Sequence, residues 1–207
     1  MSNRVLQVYK SRKILLELLK EQQYNVKDYE NFGINEVDAM CANSQLDMIL
    51  QKENESHVYV NYFISGKKLS ADVLDNLVED LFEIEAVLKD KKKDHIILIV
   101  NEEPNQTMVD KLKYLYDKEG YFILVFNIAR LQFNVLKHVL VPTATILEEA
   151  EEAALFLQYH LTSSANLPEI SRFDPQAMAI GLRPGKIVKL ERKSPTAMNY
   201  LYYRVCV

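Results

Sequence analysis

From Arg4 to Gln23, the apolar residues Leu6, Tyr9, Ile14, Leu15, Leu16 and Leu19 recur at roughly helical spacing. Arg12, Lys13, Glu17 and Lys20 fill the remaining positions, and the pattern predicts one amphipathic helix with those charges on its polar face. Tyr24–Tyr29 and Glu30–Asn43 mix Gly33 and several asparagines with isolated apolar residues and read as loops. Leu46–Gln51 is a candidate strand. His57–Ile64 alternates Val58, Val60 and Tyr62 with Tyr59, Asn61 and Phe63, a strand closed by a turn at Ser65-Gly66. Ser70 is a natural N-cap for Ala71–Leu88, where Leu74, Leu77, Val78, Leu81, Ile84 and Leu88 recur at steps of three and four, predicting a helix. Ile96–Val100 is apolar throughout and reads as a strand buried on both faces. A second amphipathic helix, Thr107–Glu119, carries Met108, Leu112, Leu115 and Tyr116 and ends at Gly120, a C′ glycine. Tyr121–Ile128 repeats the buried-strand pattern. Strand, helix and strand with continuously apolar strands suit right-handed crossovers in a parallel or mixed sheet, so residues 1–131 are expected to form an α/β domain.

The texture then changes. Phe133–Pro142 is a short apolar segment, and Glu148–His160 is an Ala- and Leu-rich helix followed by the small polar loop Thr162–Asn166. Asp174-Pro175 places an N-cap before a proline at the first helical position, and Gly181 ends that short helix. Arg183-Pro184-Gly185-Lys186 has the Pro-Gly order of a type II turn, with strands expected over Ile187–Lys193 and Tyr200–Val207. Residues 132–207 thus read as a second, compact α+β unit.

Composition narrows the function. With 207 residues, 48% of them hydrophobic, 26% charged, and only 5 Gly and 6 Pro, the chain can build a core and is neither disordered nor low-complexity. A net charge of -4 supplies no bulk positive field toward nucleic acid or an anionic membrane. Any DNA contact is expected to be local or partner-supplied. Cys41 and Cys206 lie at opposite ends of the chain without metal-site spacing, which fits a reducing compartment. Met1–Lys13 lacks the apolar core of a secretory signal, and the longest apolar runs fall far short of a membrane span. The expectation is a soluble, intracellular protein.

No segment carries a complete catalytic pattern. Gly181–Lys186 has glycines and a lysine, but three residues separate the glycines, Ile187 follows the lysine, and a strand rather than a helix comes next. A helix cap plus a turn explains it better than a phosphate loop. Glu191-Arg192-Lys193 fits the Glu-x-Lys half of a metal-dependent nuclease site, and Asp90 is the nearest upstream carboxylate. Both sit in charged segments that solvation explains. His57, His95, His138 and His160 are scattered without ligand spacing. Lys91, Lys92 and Lys93 form the one basic cluster, read first as a solvated helix end and second as a DNA-phosphate grip or nuclear-import signal.

The run Leu167-Pro168-Glu-Ile170, Asp174-Pro175, then Gly181-Leu182-Arg183-Pro-Gly185-Lys186-Ile-Val188-Lys189-Leu-Glu-Arg192-Lys-Ser194, ending in Tyr203-Arg204, closely resembles a known signature. It is that of the fifth subunit shared by the eukaryotic nuclear RNA polymerases, whose C-terminal half stands alone as a small subunit of the archaeal polymerase. His138 and Leu140-Val141-Pro142 match the opening of that module. The resemblance covers about 132–207, while Arg12-Lys13, Leu18-Leu19 and Tyr24 resemble the first helix of the family's N-terminal domain. Pro104-Asn105-Gln106-Thr107 replaces the family's Thr-Pro-Ser-Ala segment, Ala144 replaces a histidine, and Ala197-Met198 stands where a glycine is usual. Such departures suit a copy carried by a large DNA virus as readily as a cellular one.

The resemblance implies a non-catalytic subunit of a multisubunit DNA-directed RNA polymerase. It implies a nuclease-like but inactive jaw domain at 1–131, and at 132–207 an assembly domain with a mixed sheet that docks on the largest subunit. Other polymerase subunits are expected partners and downstream DNA a weak or indirect one. No cofactor, metal, membrane or small-molecule substrate is expected. The residues implied for docking or for the motif are Pro142, Leu167, Pro168, Asp174, Pro175, Gly181, Arg183, Gly185, Lys186, Lys189, Arg192, Ser194, Tyr203 and Arg204, with Lys91–Lys93 near DNA. The implied location is the nucleus for a cellular protein, and the cytoplasmic factory or virion for a viral one. A free-standing nuclease-like DNA-binding enzyme is the alternative of another class. A transcription adaptor detached from the core enzyme is a third.

Overall fold

The structure, a computed structural model, describes residues 3–53, 55–64, 69–84, 87–194 and 198–207. The turn expected at Ser65-Gly66 lies outside them. The chain divides into two compact units, Met1–Phe133 and Asn134–Val207.

The first unit is built on a four-stranded sheet of β1 (Met48–Gln51), β2 (His57–Phe63), β3 (His95–Val100) and β4 (Ile123–Asn127), in that spatial order. β1 runs antiparallel to β2, whereas β2, β3 and β4 are mutually parallel. All six side chains of β3 are buried, the property that an unbroken apolar strand in the interior of a covered parallel sheet must have. β2 alternates instead: Val58, Val60 and Tyr62 turn inward. The connections between the parallel strands carry α3 (Ala71–Glu79) and α4 (Gln106–Tyr114). Ser70 Oγ accepts the Val73 N–H and Asn105 Oδ1 the Met108 N–H, so each helix begins with a side-chain cap.

In both helices the α geometry gives way to a π turn, and the second still runs to its expected end at Glu119. α3 passes into a π turn, Asp80–Ile84, and α4 into another, Leu115–Glu119. The wider turn shifts the apolar register: Ile84 is exposed, while Leu88, predicted as the helix's last apolar residue, is fully buried outside it with its N–H on the Leu81 carbonyl. Gly120 closes the second turn at φ 81°, the left-handed C′ position expected of it.

At the N-terminus α1 (Asn3–Glu21) buries Val5, Val8, Leu15, Leu16, Leu18 and Leu19 together with Ser11 and Arg12. Leu6, expected inward, is exposed, and Arg12, expected outward, is buried. The segment Glu30–Asn43 is not all loop: it contains α2 (Ile34–Ala42), whose start is fixed by the Gly33 N–H donating to Glu36 Oε2 at 2.6 Å.

The second unit has a four-stranded mixed sheet ordered β5 (Thr143–Ile146), β7 (Ile187–Ser194), β8 (Met198–Cys206) and β6 (Glu169–Ile170). β7 pairs antiparallel with both β5 and β8, and β6 runs parallel to the end of β8. Two helices, α5 (Glu149–Gln158) and α6 (Pro175–Ala179), complete it. Ile170, Ala177, Leu182, Val188, Leu190 and Cys206 form one core cluster. Leu147, Leu155 and Ile187 form another, with Phe156, Leu167 and Tyr203 packed on it. A small mixed sheet with helices is the α+β arrangement expected here. β5 and β6 are strands that pattern reading does not find.

Candidate docking surface of the C-terminal unit

The motif residues assemble into one connected scaffold. Asp174 Oδ1 accepts the Gln176 and Ala177 N–H groups at 2.8 and 3.4 Å, and Pro175, which has no N–H to leave unpaired, opens α6. The Gln176 side chain then donates to the Pro142 carbonyl at 2.6 Å, tying the entry of β5 to α6. Gly181 leaves the helix at φ 66°, which lets the Leu182 N–H return to the Ala177 carbonyl. Gly185 sits at φ 86° with the Lys186 N–H on the Arg183 carbonyl at 3.2 Å, as a type II turn requires. The Gly185 N–H donates to the Cys206 carbonyl, so the turn is locked to the end of β8. The Pro168 carbonyl accepts the Val205 N–H and holds β6 beside that same strand.

The charged motif residues divide by role. Arg204 Nη1 donates to the Glu169 carbonyl at 2.9 Å and the guanidinium lies over the Tyr202 ring, so its charge stitches β8 to β6. Lys186 Nζ stands 3.8 Å from Glu152 Oε1 of α5. Lys189 is half-buried on β7, and Arg192 is exposed opposite Tyr200. Arg183 is half-buried and engaged within the fold. Tyr203 meets Tyr159 edge-on at 6.0 Å, and burial, then the neighbouring Tyr159 and Glu151, push its phenol pKa up. Ser194 closes β7 by pairing with Met198.

Sequence reading misses the most solvent-presented apolar groups. Val139 and Leu140 are 92% and 81% exposed on the segment between the short 3₁₀ turn Val135–Lys137 and β5. Leu157 on α5 and Tyr200 and Leu201 on β8 are exposed as well. These are large apolar side chains that the second unit leaves in water. The chemical signal was visible at Leu140, within the matched motif, but not its exposure.

In the first unit, Lys91–Lys93 form a turn rather than a helix end. Lys91 Nζ rests 4.0 Å from the Tyr121 ring centroid, so one of the three ammonium groups is held against the protein. Asp90 Oδ1 accepts the Lys92 N–H, a turn-capping role. Pro104 and Asn105 border a cavity of about 260 Å³ beyond the ends of β2 and β3. Among the described residues no group of three His, Cys, Asp or Glu side chains is placed to hold a metal ion. No described helix is long and apolar enough to cross a membrane.

Residues 133–206 match the model of the RNA polymerase Rpb5 C-terminal domain. Over 76 residues the chain is 51% identical to DNA-directed RNA polymerase subunit Rpo5 of Pyrococcus abyssi, covering 37% of this chain and 92% of that one. The chain belongs to the RNA polymerase subunit 5 family. A second member, the subunit rpabc1 of DNA-directed RNA polymerases I, II and III of Dictyostelium discoideum, is 28% identical over 205 residues, 99% of this chain and 98% of its own length. The Pyrococcus subunit thus has about the length of the second unit, and the Dictyostelium match runs through both units. These relatives lend nothing to the free-standing nuclease alternative. Met198 adopts φ 53°, a left-handed backbone that a non-glycine residue seldom takes.

Proposed function

We propose that the chain is a non-catalytic subunit of a multisubunit DNA-directed RNA polymerase, with residues 132–207 docking on the largest subunit. The observation that carries this reading is that the archaeal-length match falls on a unit with its own core, whose glycine turns and Asp cap are the matched motif. Val139 and Leu140, with the aromatic strand β8, supply apolar area for the partner, and Arg192 and Lys189 supply charge at its margin. Nucleotidyl transfer belongs to the partner chains.

Residues 1–131 act as the jaw, an inactive α/β domain beside downstream DNA, for which the Dictyostelium match along nearly the whole chain is the support. With a net charge of -4 this flank neutralises few phosphates, so its DNA contact is weak and depends on the assembled enzyme. The cellular form works in the nucleus; a viral form works in the cytoplasmic factory or the virion. Affinity purification of the tagged chain from its native host tests the reading. Recovery with two very large polymerase chains is expected, and recovery without them overturns it.

A further inference from the structure

The first unit holds a buried charge that docking of the second unit does not use. Arg12, in the middle of α1, is only 2% exposed. Its Nη1 donates to the Leu46 carbonyl at 3.0 Å. The guanidinium centre lies 5.6 Å from the Tyr29 ring centroid and 5.7 Å from that of Phe32, so aromatic rings bound it. Nε and Nη2 are enclosed and find no acceptor among the described residues. These two nitrogens form one edge of the planar group, with two parallel N–H bonds, the edge that grips a carboxylate at both oxygens. A guanidinium stays charged even when burial pushes its pKa down from its ordinary value, as it does here. A buried charge of this kind is the more costly the fewer acceptors it finds.

Arg12, Tyr29 and Phe32 also line a cavity of about 420 Å³, together with Lys13 and Val37. The other charged groups lining it are Glu17, Lys20 and Glu30. Lys20 and Glu30 pair with each other at 2.6 Å, and Glu17 is itself engaged. What remains for an incoming group is positive: Arg12 and Lys13.

We propose that this cavity binds a carboxylate, received by Nε and Nη2 of Arg12 between the Tyr29 and Phe32 rings. The carboxylate is either that of a small free acid or the side chain of an acidic residue on another polypeptide; the recognition chemistry is the same. Arg12 thereby has two duties: Nη1 anchors the chain ahead of β1 through Leu46, and the opposite edge receives the ligand.

The test uses the full chain labelled with ¹⁵N and follows the Nε–H signal of Arg12. Sodium succinate and an N-acetylated, C-amidated pentapeptide with one central glutamate are titrated separately, with sodium chloride at matched ionic strength as control. A saturable shift of the Arg12 signal with a Kd at or below about 1 mM is expected for at least one carboxylate, and none for chloride. Saturation by succinate assigns the site to a free acid, and saturation by the peptide alone assigns it to a polypeptide side chain. Arg12→Lys, which keeps charge but not the fork, is expected to weaken binding at least tenfold. No saturable shift with either probe at ten times that concentration overturns the proposal and leaves Arg12 as an internal clamp. Because the wild-type signal carries the decision, a variant that fails to fold does not blur the result.

Discussion

Asp94 offers the sharpest test of how the first unit is held together. Its side chain lies just before β3 and is 1% exposed. Oδ1 accepts the His57 N–H at 2.7 Å at the start of β2, and Oδ2 accepts the Lys89 and Asp90 N–H groups at 2.8 and 3.0 Å. One carboxylate thus fastens the loop after α3 to the first residues of two parallel strands. Asp94→Ala removes both acceptor oxygens and with them these three hydrogen bonds. Hydrogen bonds to a charged group contribute about 1.5–3 kcal/mol each; with water reaching some of the freed donors, the total loss should be about 3–5 kcal/mol. Asp94→Asn keeps one carbonyl oxygen. Turned toward Lys89 and Asp90, it leaves an NH₂ facing the His57 N–H, so one bond is lost, about 1.5–3 kcal/mol.

The pH dependence follows from the same geometry. Burial by itself pushes the Asp94 carboxyl up, but the N–H groups of Asp90, His57 and Lys89, with the His57 ring nearby, outweigh it and hold the pKa below its ordinary value. A depressed pKa in the folded state gives stabilisation that is complete above the unfolded-state value of about 3.9. It is lost as pH falls below that value and through the folded one. Urea denaturation followed by far-UV circular dichroism between pH 3 and 7, with amide exchange at His57, Lys89 and Asp90, reads both effects; the chain has no tryptophan for a fluorescence probe. A loss under about 1 kcal/mol for Asp94→Ala, or the same acid-side slope in variant and wild type, would refute the reasoning.

Other consequences are more local. Gly185→Ala should cost about 1–2 kcal/mol in thermal unfolding, from φ alone, because a Cβ there meets nothing within 4 Å; an unchanged Tm would contradict the turn geometry. Met198→Gly should gain up to about 1 kcal/mol by relieving φ 53°, and a loss by the same measurement counts against strain at the hairpin. Burial pushes the Cys206 thiol up to about 11, so iodoacetamide at pH 8 should label Cys41 and spare Cys206 until urea unfolds the chain, as read by mass spectrometry. The double change Val139→Ser with Leu140→Ser should leave the isolated chain within about 0.5 kcal/mol of wild type. It should lower incorporation into polymerase at least tenfold, about 1.4 kcal/mol, measured by competition with wild-type chain; equal incorporation removes this segment from the interface.

Local chemistry was readable where it is self-contained. Asp174-Pro175 makes its own cap, Gly120, Gly181 and Gly185 need only their own left-handed backbone, and the apolar run of β3 declares its burial. Elements defined by distant partners were not. β6 is two residues long and exists only because β8 lies beside it, and β5 exposes alternate residues on a four-residue edge. α2 buries only Val37, too little periodicity to separate a helix from a loop. Ile84 and Leu88 stand four apart and imitate one helix face, but the π turn that ends at Ile84 leaves Ile84 exposed while Leu88 is buried. Arg12 is the plainest failure of pattern reading: an arginine on a helix is assigned to solvent by residue type, whereas Tyr29, Phe32 and the Leu46 carbonyl enclose it. Of the candidate docking residues, the scaffold-making ones were identifiable by motif. The exposed Val139 and Leu157 were not, because exposure is a property of the finished surface.

The stoichiometry of the chain in native polymerase after a high-salt wash tests the central claim most directly. Quantitative mass spectrometry of the washed enzyme should find one copy for each copy of the largest subunit, retained through a predominantly apolar interface that salt does not dissolve. Loss of the chain in the wash, or recovery at a small fraction of that amount, would mark it as a detachable adaptor and contradict the account.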